Sequence, residues 1–249
     1  MSGHSIPVSL LFFTSTKGHW GFRDIYKTTL ALLDRQIPLV QFNVKVAHIK
    51  VTPGEEIAAH AMTGYLESIG FKVLTTSAEW SHNTSHGNQY LRDIITMSRE
   101  SSIYSNPHVW WWEDDWHLDC HQDRLDTVLS RMTRFVDSSP DHLSTRFILR
   151  SAYEGGVANL GEADADSFFS PFTDFQPAIW RSRDFYLAAK TIEDNWDKVQ
   201  GIHIEQLWRM VTDPLSRSQY KHKVWLPNYA EPIHLGCPEY PSLKAALLG

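Results

Sequence analysis

The run Trp110-Trp111-Trp112-Glu113-Asp114-Asp115-Trp116 carries an apolar segment straight into three acids. His108 to Trp112 reads as a strand, which leaves the acids at its carboxyl end. Side chains alternate across a strand, so Glu113 and Asp115 are expected on one side with Asp114 pointing away. Two carboxylates converging there repel unless a cation lies between them. Hard oxygen donors of this kind suit Mg²⁺ or Mn²⁺, which keep several waters and take substrate phosphates as further ligands. The simpler alternative is a solvated acidic turn in which Asp114 or Asp115 caps the next helix.

A second cluster follows at once. His117, Asp119 and His121 alternate, with Cys120 between them. On a strand the three would share a face and suit zinc, whose catalytic sites take three protein ligands. A turn leading into the helix that begins near Gln122 competes with that reading. The chain is also rich in His (13) and Trp (10). Trp faces suit stacking on sugars or bases, although packing near a sheet is the commoner use of so large a side chain.

These residues need a scaffold, and the chain alternates strand and helix patterns. Ser5 to Thr14 reads as a buried strand, and a polar loop, Ser15 to Gly21, follows. Phe22, Ile25, Tyr26, Thr29, Leu30 and Leu33 recur at helical spacing up to about Gln36. Pro38 to Val51 is β-rich. Thr52, Pro53 and Glu55 then predict a capping box, with Ile57, Ala61, Met62, Tyr65 and Leu66 as the buried face and Gly70 as the stop. Phe71 to Thr76 reads as a strand, Tyr90 to Met97 and Leu125 to Phe135 as helices, and Arg146 to Tyr153 as a strand. Glu154 to Asp174 reads as a long loop suited to a lid or substrate loop. Helices are expected at about Ser182 to Trp196 and His203 to Val211, and the tail after Pro214 is expected to be irregular. The order predicts an α/β fold with a mainly parallel central sheet covered on both faces, whose ligands bind at the carboxyl ends of the strands.

Composition narrows the classes. With 249 residues, 42% hydrophobic and 21% charged, the chain is an ordinary globular sequence, and no linker or repeat divides it. A net charge of −6 without a basic stripe argues against nucleic acid as a partner. The longest unbroken apolar run, Phe185 to Ala189, is far short of the ~20 residues a membrane-spanning helix needs. Residues 1–13 have no secretory pattern, and Cys120 and Cys237 read as free thiols, so a cytoplasmic location is expected. Asn83-Thr84-Ser85 then reads as a chance sequon.

The order of motifs resembles the GT-A-fold glycosyltransferases, particularly the family 2 type, whose hallmark is an aspartate-any-aspartate (DxD) motif ending a central strand. Glu113-Asp114-Asp115 is similar to it as an acid-any-acid variant. Thr29 to Gln36 resembles the family's leucine-rich first helix, and Gly87 to Asp93 the Gly…Ala-Arg-Asn stretch. Ile204-Glu205-Gln206-Leu207-Trp208-Arg209 resembles the late acidic segment that carries the catalytic base. His234 matches the C-terminal histidine that many members add to the metal shell. Where the family often carries Asp-Asp-Gly-Ser after its second strand, this chain has Val46-Ala47-His48-Ile49-Lys50, so no base is named.

The resemblance implies a Rossmann-like three-layer sandwich in one domain, residues 1–249, with a nucleotide-binding half at about 1–116 and an acceptor-binding half at about 117–249. It implies transfer of a sugar from a UDP- or GDP-type donor to a glycan or other hydroxyl acceptor, with inversion. Mn²⁺ or Mg²⁺ would be held by Asp115, Glu113 and His234. Thr14, Ser15, Thr16, Arg92, Glu113 and Asp114 would hold the nucleotide sugar, Lys17, Arg92 or Arg181 would add positive charge, and Glu205 would be the base. Three alternatives remain open: a zinc hydrolase built on His117, Asp119 and His121, a sugar-binding module that leaves the acids idle, and a nucleotidyltransferase, whose expected loop is matched only loosely by Lys17 to Arg23.

Overall fold

The computed structural model describes residues 5–17, 24–77, 86–120, 125–140, 142–147, 162–164, 167–170, 177–196, 221–225 and 231–235. The elements run β1 (Val8–Ser15), α1 (Ile25–Gln36), β2 (Lys45–Val51), α2 (Glu56–Ser68), β3 (Lys72–Ser77), α3 (His86–Ser98), β4 (His108–Glu113), β5 (Trp116–Asp119), α4 (Leu125–Asp137), β6 (His142–Phe147), β7 (Glu162–Asp164), β8 (Ser167–Ser170), β9 (Ala178–Arg181), α5 (Ser182–Asp194), β10 (Lys221–Trp225) and β11 (Glu231–His234). A nine-stranded sheet has the order β3-β2-β1-β4-β9-β6-β10-β8-β7, and β11 pairs with β5 in a separate ribbon. The strands β3, β2, β1 and β4 are mutually parallel. β9 runs against both β4 and β6, and β8 against both β10 and β7, so the other seven strands point one way.

Strand alternation sorts the core into two layers. Leu10, Phe12, Ala47, Ile49, Trp110 and Trp112 pack under Leu30 and Leu33 of α1, Met62 and Leu66 of α2, and Val128 and Met132 of α4. Leu11, Phe13, Val46 and Trp111 pack on the other face, against Ile94 of α3 and Phe185 and Ala189 of α5. Trp110, Trp111 and Trp112 are at most 3% exposed, so they build the core on both faces and present no surface for sugar stacking. Each removes ~200 Å² from water, a gross contribution of roughly 5 kcal/mol.

The capping box at the start of α2 is not formed. Thr52-Pro53-Gly54-Glu55 is a β-turn instead, with the Glu55 amide donating to the Thr52 carbonyl at 3.0 Å and Gly54 at φ 86°. Pro at the second position and Gly at the third are what a type II turn needs, and turn formation wins over capping. The helix therefore starts later, its buried face is Ala59, Met62 and Leu66, and Ile57 is left 89% exposed.

Its end follows expectation. The Phe71 amide bonds the Leu66 carbonyl and the Gly70 amide bonds the Glu67 carbonyl, a Schellman motif with Gly70 at φ 86°. A Cβ at Gly70 would also meet Lys45 Nζ at 3.0 Å. Gly70→Ala is expected to cost about 1–2 kcal/mol, checked by urea unfolding.

Other differences concern short or polar strands. β2 starts only at Lys45, after a 3-10 turn at Leu39–Gln41. β6 begins at His142 rather than Arg146, β7 and β8 lie inside the stretch expected to be loop, and β10 and β11 lie in the tail expected to be irregular. The expected helix at 203–211 falls outside the described residues.

Candidate functional site

The carboxyl ends of β1, β2, β3 and β4 lie side by side, and polar groups gather there. Pairing between β1 and β4 ends at Phe13 opposite Glu113, so the alternation expected of the acids stops and a turn takes over. The Asp114 amide still donates to the Phe13 carbonyl at 3.0 Å, which brings its side chain over β1. There the Thr14 hydroxyl donates to Asp114 Oδ2 at 2.6 Å. The Thr29 hydroxyl of α1 donates to the Asp114 carbonyl, tying the turn to the first helix. Asp114 is thus turned inward, not away, and the repelling charge it meets is that of Asp115; both side chains are buried. Burial, then repulsion from Asp115, push the Asp114 carboxyl up to about 7, against the opposing hydrogen bonds from Thr14 and the Ser15 backbone. Glu113 is half-buried and takes a 3.1 Å hydrogen bond from the Trp116 indole.

The turn is also anchored to a distant part of the chain. β11 lies antiparallel to β5 with His234 opposite Trp116, and the Leu235 amide donates to the Asp115 carbonyl at 2.6 Å. Leu235 is buried against Ile25 and Leu32 of α1, an apolar contact that holds the ribbon in place. The backbone of His234 therefore stands beside the acid turn.

On the β1–β2 side, the Thr16 amide bonds the Lys50 carbonyl at 3.0 Å and the Thr16 hydroxyl accepts from the Thr52 amide at 2.9 Å. Thr14, Ser15 and Thr16 thus form a fixed lip beside Asp114. Lys50 at the end of β2 was not expected from its spacing, yet its charge reaches Asp114 and lowers its pKa. Lys50 Nζ also lies 3.8 Å from Asp93 Oδ2 of α3. The signal for it was a single Lys near the end of an apolar strand, which by itself points nowhere.

The remaining expected residues divide. Arg92 lies on α3 with its guanidinium 5.3 Å from the Trp196 ring, in a groove of about 370 Å³ lined by Thr76, Ser77 and Arg99 among others. Arg181 is excluded from electrostatic help at the acids. It pairs with His108 at the opposite end of β4, and its guanidinium bonds Asp184 and the carbonyls of Val136 and Ser139. Lys17 is exposed just past β1. Glu205 and His121 lie outside the described residues. His117 sits 3.4 Å from the Gln36 amide nitrogen. Among the described residues, no three His, Cys, Asp or Glu side chains converge as a ready-made cation cage. No described helix is long and apolar enough to cross a membrane.

No protein-family profile matches the sequence, and no curated protein resembles it in sequence. Solved structures do resemble it. A UDP-glucose pyrophosphorylase complexed with UDP-glucose superposes with a TM-score of 0.57 at 12% identity, over 97% of this chain and 98% of that one. A putative glucose-1-phosphate thymidylyltransferase from Bacillus anthracis, in complex with a sucrose, gives 0.54 at 9% identity over 97% and 94%. A 4-diphosphocytidyl-2C-methyl-D-erythritol synthase from Anaerococcus prevotii gives 0.52 at 10% over 99% of both chains. At such identities the likeness is one of fold: an α/β, Rossmann-like sandwich of the GT-A kind.

Proposed function

We propose that the chain is a metal-dependent glycosyltransferase that moves a sugar from a UDP- or GDP-type donor to an acceptor hydroxyl. The observation behind this reading is the buried Asp114–Asp115 pair at the carboxyl end of β4, set against the Thr14 hydroxyl. Residues 1–116 bind the nucleotide in this account and residues 117–249 the acceptor. The acids suit a divalent cation: their donors are hard oxygens, and Asp114 is buried beside the like charge of Asp115. Asp115 and Glu113, with His234 on the adjoining ribbon, would hold Mn²⁺ or Mg²⁺. When bound, that ion neutralises charge on the departing diphosphate as a Lewis acid.

The chain's own residues do the rest. Thr14 holds the Asp114 carboxylate and Thr29 the backbone of the acid turn, so that part of the site is set before the donor arrives. Thr14, Ser15 and Thr16 line the nucleotide, Asp114 takes a donor hydroxyl, and Arg92 adds positive charge beyond β3. Glu205 removes the proton of the acceptor hydroxyl while its oxygen attacks the anomeric carbon. The bond from that carbon to the phosphate oxygen breaks on the opposite side, and the configuration inverts.

The test is a thermal-shift comparison of UDP- and GDP-sugars with and without Mn²⁺, since a ligand of the native state raises its stability. A rise is expected only with donor and ion together. Glu205→Gln should lower kcat by about 10²- to 10⁴-fold and leave donor affinity within about twofold. Donor turnover with a retained anomeric configuration would remove Glu205 from this role.

A second reading, nucleotidyl transfer, is favoured by the fold likeness to a pyrophosphorylase and a thymidylyltransferase. The two separate by product. Sugar-1-phosphate and a nucleoside triphosphate releasing pyrophosphate would point to it, whereas release of a nucleoside diphosphate from a nucleotide sugar points to glycosyl transfer.

A further inference from the structure

Between β2, β3 and α3 lies a buried polar cluster that the proposed chemistry leaves unused. Asp93 is 1% exposed, and its carboxylate receives the Thr76 hydroxyl at 2.8 Å. Lys50 Nζ approaches its other oxygen at 3.8 Å, and His48 Nε2 stands 3.6 Å away with no hydrogen-bond partner among the described residues. Burial holds the His48 pKa below its ordinary value, so at neutral pH it brings no charge to Asp93. Among the described residues, the cation paired with Asp93 is Lys50. Its side chain is 15% exposed, against 1% for Asp93, and it stands at the carboxyl end of β2 opposite Ser15 of β1. The 3.8 Å separation is an ion-pair contact longer than a hydrogen bond, and it orients the ammonium along α3. Lys50 also stands within electrostatic reach of Asp114, and its carbonyl is bonded to the β1 lip through Thr16.

This placement matters because buried carboxylates alone repel a diphosphate. A cation fixed on the near side offsets that repulsion, and a lysine ammonium is a compact charge suited to phosphate oxygens. We propose that Lys50 is the phosphate-binding cation of this site, steered by Asp93 to meet the diphosphate of a nucleotide whose far side faces Asp114 and Asp115. Asp93 is a positioning residue in this arrangement. The inference rests on the nucleotide site proposed above and assigns the protein's own charge within it.

The experiment is calorimetric titration of UDP with Mn²⁺, and separately of uridine, into wild type, Lys50→Gln, Lys50→Arg and Asp115→Ala. Lys50→Gln is expected to weaken UDP about 10- to 100-fold, the range of a charge-assisted hydrogen bond, while uridine changes less than about twofold. Lys50→Arg should recover most of the loss. UDP affinity unchanged in Lys50→Gln, or uridine weakened as much as UDP, overturns the assignment. If wild type binds UDP, Asp115→Ala does not, and Lys50→Gln matches wild type, only the Lys50 inference fails. If wild type binds no nucleotide, the glycosyltransferase reading fails with it. A measurement on wild type avoids any folding defect: acetylation with an amine-reactive ester, read at Lys50 by mass spectrometry. UDP and Mn²⁺ should protect that amine at least about fivefold once roughly 80% of the sites are filled, since labelling then proceeds only through the unoccupied fraction. Equal labelling overturns the proposal.

Discussion

Asp115→Ala is expected to abolish Mn²⁺-dependent binding of UDP or GDP, weakening it by at least about 100-fold. That floor is what the loss of mere supporting groups costs at metal sites, and Asp115 is proposed as a ligand itself. The fold should survive, because the turn is held by other groups: the Asp114 amide on Phe13, the Thr29 hydroxyl on the Asp114 carbonyl, and the Leu235 amide on the Asp115 carbonyl. None of these uses the Asp115 side chain. Relief of repulsion on Asp114 should even raise stability without metal. A variant that stays folded and still binds the nucleotide in a metal-dependent manner would remove Asp115 from the site.

Asp114→Asn is the second large effect, and it reads stability instead of binding. The Asp114 carboxyl sits at about 7 in the folded protein, above its ordinary 3.8, chiefly through burial and then through Asp115. A raised pKa means that the folded state holds its proton more tightly than the unfolded chain does. The associated stability is full below pH ~4 and is lost as the pH climbs through about 7. Asparagine cannot ionise, keeps an oxygen to accept from Thr14, and escapes that loss. The stability gained by Asp114→Asn, measured without metal by urea unfolding, should therefore be greater at pH 8 than at pH 5 by roughly 2–3 kcal/mol. A gain equal at both pH values would show that Asp114 is not the group that titrates.

Much of the scaffold was legible because the parallel half of the sheet is buried on both faces. Strands there must be largely apolar, as Leu10 to Phe13 and Val109 to Trp112 are, and such runs stand out in sequence. Helices α4 and α5 declared themselves through apolar spacing in the same way. The other half hid itself. Lys221-His222-Lys223-Val224-Trp225 reads as a polar tail, yet Lys223 is buried with its ammonium 3.8 Å from the Trp225 ring centroid, so a charged residue occupies a core position. β7 and β8 are too short, at three and four residues, to show a period.

The site was legible in its acids and not in their geometry. Their types and place at a strand end located the turn, but which carboxylate turns inward depends on where the β1–β4 ladder stops, and that is a property of pairing. Lys50 was illegible for a related reason. Its significance comes from Asp93, 43 positions later, and only the packing of α3 on β2 joins them.

The ribbon of β5 and β11 has a consequence for how the molecule comes to be assembled. Its last tie, from Leu235 to Asp115, spans 120 positions, whereas β1 to β4 and the helices between them are made within the first 113 residues. Closing so long a loop carries a large entropic cost, and contacts of that separation form slowly. A chain emerging from the ribosome therefore completes the parallel scaffold well before the segment that finishes the acidic corner exists. On the reading proposed above, competence then arrives as a final act of folding, and a C-terminally clipped chain is expected to keep the β1–β4 scaffold and lose nucleotide binding.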